Sequence, residues 1–454
     1  MILSHRVAFS RPPLTTRTRT ITLVLITAVV VSSFLGRYDL PVAGFRVRVE
    51  QVVPLILVTW MLVHPMLRPA FVRAALHPVP LVFAAFVVWN VVATLVFSPS
   101  LVRSASILIW LMIDLLLLVS MMTLSVGVEL AERLGRRSIA PWGLVGFAAF
   151  AVANLTRGRI AVGTDFDYLY EVYVARATAI EANIYASILV FWTLLAITRR
   201  SVGRWETAAI AVAVPLGLIA SQTRTAVFSL LLGLGVFAVY TLVVERRRPA
   251  RARWRRVAPA AIVAAAVIVS YGVMAASGGT APADRTLDAS VAPSPGATRE
   301  PDPSNPEQQN KIGDVDLKGG TIGFRLEVAR LAAEEMQGTN LWFGNGTNTF
   351  GLRHEQPGTP GVSGHIIMLP VQVLYDGGIV GLGLLVAFFA TVFACVPRPR
   401  RPIAAGLLSA YLLSATLTSM FWFAVTWIVV AVLLRPLSPA ERDHDACDAA
   451  RDLP

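Results

Sequence analysis

One pattern constrains this chain more than any other: long apolar stretches recur from residue 20 to residue 435, separated by short connections that carry arginine. A helix needs about 20 mostly apolar residues to cross the hydrocarbon core of a bilayer. The runs 20–36, 49–67, 78–98, 105–126, 139–155, 182–198, 206–221, 225–244, 257–276, 366–396, 403–418 and 419–435 are candidate spans, about twelve in all. Within 206–244 and 403–435, two short spans and one longer re-entrant element both fit the pattern. The run 366–396 is long for one bilayer, and a tilt, a bend near Pro370 or an outward projection would accommodate it.

Composition leads to the same reading. Hydrophobic residues make up 55% of the chain and charged residues 15%, whereas soluble domains carry about 25% charge. So little polar surface cannot cover a water-soluble domain of this size, and lipid has to be the solvent. The expected class is an all-α integral membrane protein. The net charge of +12 does not indicate a nucleic-acid partner, because the basic residues fall in clusters between apolar runs. Only Lys311 and Lys318 are lysines, and this, with the many alanines, fits a GC-rich bacterial genome. Cys395 and Cys447 lie outside the largest hydrophilic segment, so no disulfide framework is expected there. Residues 21–35 resemble a signal-peptide core, but no small-residue cleavage site follows, and the stretch reads as an uncleaved first span.

The basic residues orient the spans. With the N-terminus inside, the inside segments carry 25 arginines and the short outside segments 8. The positive-inside rule then places both termini in the cytoplasm. The resulting division is a cytoplasmic tail over 1–19, nine spans over 20–276, an extracytoplasmic loop over 277–365, three spans over 366–435 and a cytoplasmic tail over 436–454. Residues 277–318 are rich in Pro, Ser, Gly and Asp and are expected to be disordered. Residues 321–337 repeat apolar positions at helical spacing (Phe324, Val328, Leu331) and read as an amphipathic helix on the outer surface of the bundle.

Several residues on the outer side are candidates for chemistry. Arg224 opens an outward-facing helix, where free N–H groups and a guanidinium together make a phosphate site; the alternative is an interfacial anchor that snorkels to headgroups. His365 begins the tenth span. A helix N-terminus disfavours imidazolium, and a neutral imidazole there can accept a proton; the alternative is an ordinary loop histidine. Asp376 lies about three turns further on and reads as a structural partner. Arg325 and Arg176, taken singly, read as solvated or lipid-facing charges, and Arg157, Arg159, Arg330 and Arg353 receive no role. Glycines in 343–346 and 375–383 permit tight turns and close packing. Arginines and a histidine gathered beside a long loop, with no acidic metal cluster, suit a lipid-linked pyrophosphate held without a metal ion.

Four segments carry a family resemblance: RATAIEANIYASIL (176–189), SQTRTAVFSLLLGL (221–234), FRLEVARLAAEEMQGTNLWFGNGTNTF (324–350) and GHIIMLPVQVLYDGGIVGLGLL (364–385). In order and spacing they resemble the O-antigen ligase/polymerase superfamily of bacterial membrane glycosyltransferases. Ile366, Leu341-Trp342 and Asp376 depart from the family's usual asparagine, Pro-Leu and glutamate. The resemblance implies transfer or polymerisation of a glycan from an undecaprenyl-pyrophosphate donor to an acceptor hydroxyl at the outer face of the plasma membrane. It implies Arg224 and Arg325 on the pyrophosphate, His365 on the acceptor hydroxyl, and substrate contacts from Arg176, Asn183 and Thr223. Asp376, Gly344 and Gly346 take structural roles, and no cofactor or metal is implied. The partners are the polyprenyl-linked glycan donor, a glycan or lipid acceptor, the bilayer and other polysaccharide assembly proteins. Two further classes are a transporter or flippase of lipid-linked saccharides, which would use midplane polar residues such as Asn90 and Asp114, and a non-catalytic scaffold.

The charge count makes a direct prediction. A reporter that functions only in the cytoplasm should be active when fused after Pro454 and inactive when inserted at residue 300.

Overall fold

Lipid offers no hydrogen bonds, so a chain that crosses it has to satisfy its backbone groups internally, and helices do so within one segment. The computed structural model of the protein describes residues 14–42, 45–167, 172–198, 202–246, 249–276, 311–312, 315–316, 320–354, 366–417 and 420–437. Most of both tails, most of the segment 277–318 and His365 lie outside the described residues.

In chain order the elements are α1 (Thr16–Ser32), the hairpin β1 (Asp39–Val42) with β2 (Phe45–Arg48), α2 (Val49–Val63), α3 (Arg68–Ala75), α4 (Pro78–Phe97), α5 (Leu101–Thr123) and α6 (Ser125–Leu155). The hairpin β3 (Thr164–Asp167) with β4 (Val172–Ala175) follows, then α7 (Ala182–Ile197), α8 (Arg204–Ser221), α9 (Arg224–Val244) and α10 (Ala250–Ala276). Next are the short paired strands β5 (Lys311–Ile312) and β6 (Val315–Asp316), α11 (Gly320–Glu335), α12 (Thr339–Phe343) and α13 (Phe350–His354). The chain closes with α14 (Leu369–Cys395), α15 (Arg401–Leu417) and α16 (Ala424–Leu434).

Each of the twelve apolar runs lies on a helix. Among the described residues α4, α5, α6, α8, α9, α10 and α14 are long and apolar enough to cross a bilayer. An eighth span is reached if α2 and α3, bent by 114°, count as one. The stretch 206–244 is two full helices, not one re-entrant element: Gln222, with φ 52°, turns the chain between α8 and α9 within two residues. The small hairpins are additions to the all-helical expectation, and β5 and β6 fall inside the stretch expected to be disordered.

α7 and α16 are the centre of the bundle. Every residue of α7 from Ile184 on is buried, as is every residue of α16. A helix that is apolar all round belongs inside protein, and these two can be short because neighbouring helices surround them. α15 lies close along α9, with Gly233 and Gly406 each facing the other's backbone. Phe83, Phe86, Phe388, Phe421 and Trp427 fill one end of the core with ring contacts. At the arginine-rich end, Glu132 of α6 receives Arg435 at 2.8 Å, and Arg136 meets Glu206 at 3.1 Å.

The bend in α14 is not at Pro370, which sits in the first turn where its missing N–H is harmless. It is at Gly378, whose φ of 65° and ψ of −167° interrupt the helix. The break frees three successive carbonyls, and each finds a donor. Asn345 N–H reaches Tyr375 O at 2.8 Å, Gly346 N–H reaches Asp376 O at 3.1 Å, and Trp89 Nε1–H reaches Gly377 O at 2.7 Å. Asp376 Oδ1 accepts the Asn348 N–H at 3.1 Å. The turn after α12 therefore plugs the gap in α14. It is fastened to α4 through Thr94, which accepts the Thr347 N–H, and to α5 through Ser104, which donates to Thr347 O. The fit leaves no room for side chains: a Cβ on Gly344 would lie 2.3 Å from Asp376 O, and one on Gly378 would lie 2.2 Å from Trp342 O. Gly344 and Gly346 both have φ of 85°.

α11 lies over this clasp. It buries Val328, Ala332 and Met336 against Phe350, Ile366 and Tyr375. At its C-terminal end Glu335 receives His354 Nε2, the Arg353 guanidinium and the Tyr375 hydroxyl. Burial pushes the Glu335 carboxyl up, but the three hydrogen bonds outweigh it and hold the group below its ordinary value.

Two predictions follow from this geometry. Gly344→Ala and Gly378→Ala should each destabilise the purified protein by about 2–4 kcal/mol, whereas Gly235→Ala, with nothing within 4 Å, should be near neutral. Thermal unfolding in detergent reads the difference. A depressed Glu335 pKa stabilises the fold above the ordinary glutamate value of 4.5, and that contribution is lost as pH falls through the folded value. Glu335→Gln should lower Tm by about 2–4 °C at pH 7, and the gap from wild type should close in acid.

Candidate functional site

The segment that leads into α7 is pinned on both sides. The N–H groups of Arg176 and Ala177 both donate to Gly163 O, at 3.0 and 2.8 Å, and Ala177 takes φ 50°. Thr178 Oγ1 donates to Phe34 O at 2.6 Å, and Arg37 N–H donates to Thr178 O at 3.1 Å. This ties the segment to the end of α1 and to the approach to β3. Arg176 forms an ion pair with Asp165 of β3, and its Nε is buried without a hydrogen-bond partner.

Two turns of sequence with no local connection then meet. Asn183 sits in the first turn of α7 and Thr223 at the N-cap of α9, and Thr223 Oγ1 donates to Asn183 Oδ1 at 3.3 Å. The bond sets the first residue of α9, Arg224, beside the head of α7. Arg224 is exposed, and its charge reaches Tyr271 of α10.

Arg325, on α11, is the second arginine brought to this end. It is partly buried, and burial lowers its pKa, opposed by the negative charge of Glu181. Glu181 stands at the N-cap of α7, two residues before Asn183. Its residue is open to solvent on one side, yet the protein around it raises its pKa. Burial acts first and the charge of Asp165 second, against Arg325 and Arg48. Burial likewise raises Asp165, against Arg176 and Arg37. Arg48 lies behind these groups, stacked on Trp110 at 4.6 Å and Phe423 at 4.8 Å and paired with Glu50 at 2.8 Å.

The structure thus brings Asn183, Thr223 and Arg224 together at the head of α7, with Arg176 on the segment that leads into it, while Arg325 is linked to this end through the charge of Glu181. Asp376, Gly344 and Gly346 belong to the clasp beneath α11. His365 lies outside the described residues; its neighbour Ile366 packs with Val328, one turn from Arg325 on α11. Arg330 pairs with Glu334 on its own helix, and Arg353 with Glu335. Asn90, a candidate for a transport path, accepts from Thr347 Oγ1 at 3.4 Å and so belongs to the clasp.

Sequence reasoning passed over Glu181, Asp165, Arg48 and His354. Glu181 lies within the quoted 176–189 segment, and its position just ahead of an apolar helix was a usable signal. Asp165 and Arg48 are placed by short strands and His354 by the short helix α13, and their partnerships have no local signature. Among the described residues no three His, Cys, Asp or Glu side chains form a group that could hold a metal ion.

Residues 208–386 match the O-antigen ligase family. The match runs from α8 into α14 and takes in Thr223, Arg224, Arg325, Gly344, Gly346, His365 and Asp376, while Arg176 and Asn183 precede it. None of the curated proteins compared with the chain matches it. A multi-span helical bundle and this match lead to one conclusion: the part of the chain from α8 into α14 is similar to the O-antigen ligase family.

Proposed function

We propose that this protein transfers or polymerises a glycan from an undecaprenyl-pyrophosphate donor onto an acceptor hydroxyl, without a metal ion, at the outer face of the bacterial plasma membrane. In this reading the bundle has twelve spans and both termini are cytoplasmic. The observation that carries the proposal is the Asn183–Thr223 bond, which joins two remote segments and sets Arg224 at the head of α7; the charge of Glu181 at that head also acts on Arg325.

Arg224 and the free N–H groups of α9 bind one phosphate, and Arg325 reaches the pyrophosphate from α11. Arg176, held by Asp165, lines the donor's path together with Asn183 and Thr223. His365 takes the proton of the acceptor hydroxyl as that oxygen bonds to the anomeric carbon. The bond from that carbon to the phosphate oxygen breaks, and the pyrophosphate leaves as an anion stabilised by the arginines. Positioning and electrostatics supply most of the acceleration.

Arg224→Ala, Arg325→Ala and His365→Ala should each cut polymer formation by about 10²–10³-fold or more while the protein still accumulates in the membrane. Arg224→Lys should also fail, because lysine lacks the bidentate fork. Gel analysis of surface polysaccharide in a complemented deletion strain reads this. Near-normal polymer from the Arg224 and His365 variants would sink the proposal. Accumulation of cytoplasm-facing lipid-linked sugar in the deletion strain would favour a flippase, and full rescue by His365→Ala a scaffold.

A further inference from the structure

We infer that the exposed face of α10 is a docking site for an anionic phospholipid: Arg251 and Arg255 take the headgroup phosphate, and the apolar residues deeper on the same face take an acyl chain. Such a site needs only that α10 crosses a bilayer, and it is independent of the glycan chemistry.

The face follows from the helix repeat. α10 spans 27 residues, Ala250–Ala276, and at 1.5 Å per residue is about 40 Å long. The hydrocarbon core is about 30 Å thick, so the helix reaches past it and its charged first turns occupy the headgroup layer. Positions three, four or seven apart share one side of a helix. On one side of α10 these are Arg251, Arg255, Ala258, Ile262, Val269 and Val273, and every one is exposed. The face changes from cationic to apolar between Arg255 and Ala258, in the order in which a phospholipid presents phosphate and chain. Trp254, 60% exposed, stands at the same level, and indole rings favour the headgroup region.

The arginines of this segment divide by face. Arg253 and Arg256 lie on the opposite side and are engaged. Arg253 donates to Leu242 O, at the end of α9, at 2.6 Å; Arg256 donates to Glu245, and to Pro399 O at 3.0 Å. These contacts hold α9, α10 and the turn before α15 together. Arg251 and Arg255 are exposed, and among the described residues neither makes an ion pair with an acid. Like charges one turn apart repel, and the first turn of α10 carries no acidic residue. Glu245, the nearest acid in sequence, already pairs with Arg256. An external anion between the two guanidinium groups removes the repulsion. A soluble anion would meet that charge alone, whereas a phospholipid also covers Ile262, Val269 and Val273, which favours the lipid. Docking then fixes how deep α10 sits. Further along the same helix Tyr271 donates to Leu218 O of α8 at 2.9 Å, so the lipid holds one end of α10 and α8 the other.

The test uses the full-length protein in detergent, titrated with phosphatidylglycerol or phosphatidylcholine and read by native mass spectrometry. Wild type should bind its first phosphatidylglycerol about tenfold more tightly than phosphatidylcholine. Arg251→Gln with Arg255→Gln should weaken phosphatidylglycerol binding about 10–30-fold and leave Tm in lipid-free detergent unchanged, since both side chains are exposed. Arg133→Gln with Arg137→Gln, the same charge loss at exposed positions of α6, should bind as wild type does. Excess glycerol 3-phosphate should not displace the lipid. The inference is overturned if wild type binds the two lipids alike, if the α10 pair binds as wild type does, or if the α6 pair loses as much. Displacement by glycerol 3-phosphate also overturns it, because the face would then read a bare phosphate. So does binding that appears only after removal of residues 438–454, which include Glu441, Asp443 and Asp445; the acidic tail would then be the occupant.

Discussion

The interrupted helix α14 and the turn that fills it are the interaction on which the rest of this structure depends. A span cannot leave three carbonyls without donors at membrane depth, because each unmet group costs several kcal/mol in an apolar medium. The 344–348 turn and Trp89 supply those donors, and in doing so the turn is fixed to α4, α5 and α14 at once. α11 then has a floor to lie on, and its apolar face closes over Phe350 and Tyr375.

The charges at that head form a mixed array. Arg176 pairs with Asp165, and the charges of Arg37, Arg48 and Arg325 act on Asp165 or Glu181, in surroundings that raise both carboxyls above their ordinary values. A purely basic pocket would bind any polyanion and keep it. Interleaved acids lower the net charge, and Asp165 holds the Arg176 guanidinium in place. The rigidity of α7, buried along nearly its whole length, gives this array a fixed base.

Much of this was legible in the sequence because it depends on local periodicity. Apolar runs bounded by arginine clusters mark every long helix, and the spacing of Val328 and Leu331 marks α11. The segments around Arg176, Arg224 and Arg325 stand out through their family resemblance, and of the three arginines Arg224, at the start of an apolar helix, stands out on physical grounds as well. What was not legible depends on distant partners. Pro370 is the local sign of a bend, yet the bend is at Gly378, where a turn more than thirty residues earlier presses against the backbone. The effect of the Arg325 charge on Glu181 has no local sign either, because the two lie on elements far apart in sequence. Four-residue strands such as β3 and β4 are too short to show a period, so the partnership of Asp165 and Arg176 had no sequence signature.

The clasp also dictates an order of assembly. Thr94 and Ser104 lie about 250 residues before the turn they hold. During synthesis α4 and α5 enter the membrane long before that turn exists, and their hydroxyls have to wait for it. Contacts so far apart in sequence close slowly and late. The clasp is therefore completed only when α14 has emerged, so a nascent chain stopped short of it holds a bundle of helices without the closed turn. Whatever gathers the arginines around α7 is among the last events in the maturation of the protein.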